Sequence, residues 1–145
     1  MTPRIQKAID IFLDAINTGN LAKGICSKCA VGNLCGGSFY WGKLFHTVDG
    51  YQIIVDEKTI YKRYAELAKK DIEKTDFSLK ELMRIEQAFE CNTRIHCSDY
   101  DKCSKEEILK DQVAGLKAVI EVMMTFDDVK VDIQKEFVDK VLVTV

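Results

Sequence analysis

Residues 104–126, SKEEILKDQVAGLKAVIEVMMTF, set Leu109, Val113, Leu116, Ile120 and Met123 along one seam, and Ile108, Val119, Val122 and Phe126 widen it. Apolar residues at that spacing share one face of a helix with 3.6 residues per turn. Ser104 and Glu107 form the S-x-x-E capping box that opens such a helix. So wide an apolar face needs neighbours on more than one side, which predicts a central place in a helical bundle. Gly115 inside the seam costs about 1 kcal/mol against alanine, so a close neighbour is expected there.

The other segments read the same way. Thr2 is placed to cap a first helix, Pro3, the single proline, suits its first position, and Gly19 follows its last turn. Ile5, Ile9, Phe12, Leu13 and Ile16 share a face. SKCAVGNLC predicts a short second helix with Ser27 as its cap and Gly36-Gly37 as its stop. In the aromatic passage that follows, Asp49-Gly50 between apolar runs predicts a hairpin turn, against the alternative of an aromatic loop closing the bundle. EKTIYKRYAELAKKDI is helical, with Ile60, Tyr64, Leu67 and Ala68 on one side. Ser78 and Glu81 box the start of another helix, whose apolar positions are Leu79, Leu82, Met83, Ile85 and Phe89. The tail begins helix-like through Ile133, Phe137, Val138 and Val141. The expectation is a single all-α domain over residues 1–145, a bundle of five to six helices with one short β-hairpin near residues 45–55.

Composition narrows the partners. With 47% hydrophobic and 30% charged residues, the chain has the balance of a globular protein. A net charge of -2 with no basic stripe lacks the electrostatic footprint of a nucleic-acid binder. Lys117 and Glu121 interrupt the longest apolar stretch, so no membrane partner is expected. MTPRIQKAID shows no secretory pattern, which predicts a cytoplasmic protein. Thiols stay reduced in that compartment, so six cysteines point to metal, redox or packing roles rather than three disulfides.

Three pieces, CSKCAVGN, FSLKELMRIEQAFE and GLKAVIEVM, together resemble a family of small bacterial proteins common in Bacteroidetes. That family's pattern is an N-terminal helix, then C-x-x-C-A-V-G-N, an aromatic-[ST]-x-x-E-L-x-x-I-E-x-x-F segment and G-L-x-A-V. The resemblance spans most of the chain in the same order and implies no particular chemistry. Some members have carried a label naming the flavin- and iron–sulfur-bearing subunit of a sodium-pumping NADH:quinone reductase. Plant-type ferredoxin clusters need C-x4-C-x2-C, whereas Cys26, Cys29 and Cys35 are spaced x2 then x5, and no G-x-G-x-x-G occurs. The label does not carry over.

Cys26-x-x-Cys29 brings two thiolates within reach of one metal ion, and a closed tetrahedral site needs two more ligands. The resemblance makes Cys91 the preferred third ligand, because some members keep a cysteine close to that position. Cys35 or His46 would complete the set, with Cys97, Cys103 and His96 in reserve. The leading expectation is thus a structural metal site of Cys26, Cys29, Cys91 and Cys35, zinc first and an iron–sulfur cluster second.

Three alternatives use the same residues differently. A thiol redox protein would use Cys26 and Cys29, whose spacing and helix N-terminus favour a thiolate, although no βαβ unit surrounds them. A Cys–His nucleophile would draw on His46 or His96, neither in a known local signature. A metal-free interaction or homodimerisation module would bury the aromatic segment 39–45, with Phe39, Tyr40, Trp41 and Phe45, against a twin or another protein. Simple packing, since cysteine is a small and often buried hydrophobe, suits the set as a whole but suits Cys26 and Cys29 least. The acidic pairs in SDYDK and FDDVK lack the glycine and distal glutamate of a calcium loop and read as turns.

Overall fold

The computed structural model describes residues 2–48, 51–54 and 62–127, with side chains described for 2–42 and 66–127. Among the described residues five helices carry the architecture: α1 (Pro3–Asn17), α2 (Ala30–Leu34), α3 (Lys62–Glu73), α4 (Leu79–Asn92) and α5 (Lys105–Asp127). Two 3₁₀ turns, Tyr40–Leu44 and Cys97–Lys102, join them. Strands β1 (Phe45–Val48) and β2 (Tyr51–Ile54) pair antiparallel, with Phe45 opposite Ile54 and Val48 opposite Tyr51. The Asp49-Gly50 turn, Ile60 and the tail helix expected beyond residue 130 lie outside the described residues, and so do the side chains of Tyr64, Phe45 and His46.

The apolar seam from Leu109 to Met123 is the centre of the fold. α5 lies along α4 and also touches α1, while α2 bridges α1 and α4. Leu116, Val119, Ile120 and Met123 of α5 are fully buried against Leu82, Ile85 and Phe89 of α4 and Ile5 and Phe12 of α1. Gly115 meets the expected close neighbours, since a β-carbon there would press into Thr93 and the Phe89 ring. Both capping boxes form: Ser78 with Glu81, and Ser104 with Glu107.

Two local expectations need correction. Thr2 stands at the N-cap of α1, yet its hydroxyl donates to Asp127 Oδ2 at 2.7 Å rather than capping the helix. That bond belongs to a larger tie, in which Arg4 spans Glu81 (2.9 and 3.0 Å) and Asp127 (2.6 and 3.0 Å) over the Phe77 ring. The tie fastens the start of α1 to the start of α4 and the end of α5. In α3, Ala68 is buried but Leu67 is 40% exposed, so the apolar stripe is narrower than its sequence suggests.

Candidate functional site

Helix α2 begins two residues later than its sequence predicts, and the cap is Cys29, not Ser27. The N–H groups of Lys28 and Cys29 both donate to the Ile25 carbonyl, at 3.0 and 2.9 Å, which winds residues 25–29 into one helical turn. The Cys29 sulfur then accepts from the Gly32 N–H at 3.3 Å, and its S–H donates to the Cys26 carbonyl at 3.3 Å. A thiol is a weak capping group, so the turn relies on further ties. Trp41 donates its indole N–H to the same Cys26 carbonyl at 3.0 Å. Asn33 Nδ2 reaches the carbonyls of Asn20, Lys28 and Cys29. Gly32 packs so close to the Cys26 carbonyl that a β-carbon would overlap it. Cys26, Cys29, Ala30, Val31, Gly32 and Asn33 thus all serve the turn, as two sulfurs three apart, two buried apolar residues, a glycine for clearance and an asparagine as clasp.

The two thiols have opposite surroundings. Cys26 is exposed, with its sulfur so near Gly42 that a β-carbon there would touch it. Cys29 is 2% exposed and faces Glu86 of α4, itself only 2% exposed. Glu86 lies between Leu82 and Phe89 on the buried face of α4, and Oε2 accepts from the Val31 N–H at 3.4 Å. Thiol and carboxyl feel each other electrostatically. Burial, followed by the charge of Glu86, pushes the Cys29 thiol well above its ordinary value. Burial raises the Glu86 carboxyl to about 8; the neighbouring Cys29 thiol opposes the shift, and Glu90, one turn on, adds to it. Burial thus raises the proton affinity of the Glu86 carboxyl beside a buried thiol.

The four cysteines expected to share a metal are not drawn together. Cys35 caps the far end of α2 and is buried, its thiol pushed up to about 12 by burial and by the charges of Asp71 and Glu86. Cys91 sits exposed in the last turn of α4. Cys97 and Cys103 belong to the second 3₁₀ turn and its end, and are half-buried. His96 caps that turn through the Ser98 N–H, and its ring lies on Gly24. Its Nδ1 stands 3.7 Å from the Cys97 sulfur and 2.9 Å from the Ser98 hydroxyl. Among the described residues no group of three or more His, Cys, Asp or Glu side chains converges in a way that would hold a metal ion. Helix α2 turns the second thiol inward while the first stays at the surface.

Glu86 and Asn33 were not singled out by sequence reasoning, and Trp41 entered it only as part of the aromatic segment 39–45. For Glu86 a signal was available: positions 82, 85 and 89 define the apolar face of α4, and 86 falls on it. A carboxylate on a buried face asks for a reason. No known family, curated protein or solved structure matches the chain. Among the described residues no helix is long and apolar enough to cross a membrane.

Proposed function

We propose that the protein performs thiol–disulfide exchange, with Cys26 as the attacking thiol, Cys29 as the resolving thiol and Glu86 as the base for Cys29. One observation carries the reading: an exposed cysteine three residues before a buried one whose thiol meets a buried carboxyl. Residues three apart in one helical turn have Cβ atoms roughly 5–6 Å apart, about 1–2 Å wider than a disulfide spans, so closing the Cys26–Cys29 bond requires the turn to tighten.

The chemistry divides between the two environments. The Cys26 thiolate attacks one sulfur of a substrate disulfide; that S–S bond breaks, a mixed disulfide forms and the first substrate thiolate leaves. Glu86, in its carboxylate form, takes the Cys29 proton. The Cys29 thiolate then attacks the Cys26 sulfur, closing the Cys26–Cys29 disulfide and expelling the second substrate thiolate. Two electrons pass from the dithiol to the substrate. A buried thiol is a poor nucleophile without help, and an ordinary carboxylate is too weak a base to help it. Raising Glu86 to about 8 brings its proton affinity closer to a thiol's. The reading is set in the cytosol, where a dithiol is returned to its reduced form after each cycle.

The test is a trapping experiment. Cys29→Ser keeps an N-cap side chain but removes the resolving sulfur. Treated with a disulfide substrate, the variant should accumulate a stable adduct on Cys26, seen by mass spectrometry, while the unaltered protein releases it. An unmodified Cys26, or equal release by both proteins, would remove the reading.

A further inference from the structure

Among the described residues only three large apolar side chains are exposed, and two of them, Ile25 at 38% and Phe39 at 48%, belong to the two segments that carry or press on the attacking thiol. Ile25 directly precedes Cys26. Phe39, its ring 4.5 Å from that of Tyr40, leads into the 3₁₀ turn whose Trp41 and Gly42 press on Cys26. Single exposed apolar residues are ordinary; two on the segments around one reactive sulfur form a place for an apolar neighbour.

An open groove of about 1020 Å³ begins beside the same turn. Ser27 and Lys28, the residues between the two thiols, line one end, and Pro3, Lys7, Asp10 and Asp14 of α1 form a wall. Past Leu34, Gly36 and Gly37 it continues into a second hollow of about 490 Å³ at Phe39 and Tyr40. Together they exceed the roughly 300–1,000 Å³ that encloses a small ligand. From Pro3 to Asp14 the wall runs about 16 Å, the length of about five extended residues. Its mixed charges and amides suit a polypeptide's polar backbone, and a chain held there lies one residue from Cys26.

We infer that the substrate disulfide is carried on an extended polypeptide that lies in this groove and covers Ile25 and Phe39, not on a small molecule. The inference rests on the thiol-exchange reading and names its substrate class. The electron balance is unchanged: the polypeptide's S–S bond opens to two thiols as the Cys26–Cys29 bond forms.

The experiment compares two probes, a peptide disulfide with apolar residues beside its cysteines and glutathione disulfide, on the full chain and on Ile25→Ser and Phe39→Ser. Circular dichroism checks that the variants fold. Each variant should lose about tenfold in kcat/KM on the peptide and keep its turnover of glutathione disulfide. Equal loss on both probes, no loss on the peptide, or no preference for the peptide by the unaltered protein overturns the substrate class and leaves thiol exchange standing. An unaltered protein inert to both probes overturns both.

Discussion

The Glu86 carboxyl and the Cys29 thiol meet inside the protein, each 2% exposed, at the point where α4 passes the start of α2. Neither is an ordinary core residue. A buried acid holds its proton more tightly, and a buried thiol becomes harder to ionise. Their contact couples the chemistry of the C-x-x-C turn to the helix pair at the centre of the bundle.

That contact makes stability fall as pH rises. Folded Glu86 keeps its proton up to about pH 8, whereas the ordinary carboxyl value is 4.5. Between these values the folded chain binds the extra proton, so its advantage is complete below 4.5 and gone above 8. The thermal midpoint should therefore drop between about pH 5 and pH 8, and Glu86→Gln should flatten the drop. Cys29 and Cys35, also raised, extend the fall into more alkaline solution in both proteins.

Thiol labelling should follow burial. In the folded protein a bulky alkylating reagent, with sites mapped by mass spectrometry, should modify Cys26 and Cys91 first. Cys29 and Cys35 should label only after unfolding, because both are buried and their thiols resist ionisation.

The clearance at Gly32 predicts a steric penalty. Gly32→Ala places a methyl group against the Cys26 carbonyl, which is already held by Trp41 and Cys29. The loss should be about 1–3 kcal/mol in urea unfolding, with Trp41 fluorescence as the readout of the displaced turn.

How much of this was legible in the sequence depends on range. The helices were, because their information is local: the seam of α5, the two capping boxes and the tight packing at Gly115 follow from spacing alone. The site was only half legible. C-x-x-C announced a turn with two sulfurs, but whether they face one point depends on where α2 starts. Cys29, a weak cap, took that place from Ser27 because Trp41, Asn33 and Glu86 hold the turn from elsewhere. Asn33 is local, but Trp41 and Glu86 come from other segments, and no local pattern links them to the turn. Leu67 shows the same limit, since a helical stripe does not say how far its neighbours reach.

Arg4 predicts the acid limb of stability. Burial alone would raise Glu81, but the Arg4 and Ser78 hydrogen bonds outweigh it and hold its carboxyl below the ordinary value. For Asp127 the Arg4 hydrogen bond is the leading cause of the same lowering. This stabilisation is present above the ordinary values of 4.5 and 3.8 and is lost as pH falls through the depressed ones. Arg4→Ala should cost about 1–3 kcal/mol at neutral pH and make acid unfolding less steep.

The most direct measurement is the redox equilibrium of the Cys26–Cys29 pair. The full chain is held in a graded series of reduced and oxidised dithiol buffers, quenched with acid, and its disulfides are mapped. Thiol exchange predicts a single two-electron transition in which Cys26 and Cys29 join while Cys35 stays reduced. It also predicts slower closure of that bond in Glu86→Gln at neutral pH. Full oxidation of the buffer with Cys26 and Cys29 still unjoined, or closure equally fast without the Glu86 carboxyl, would contradict it.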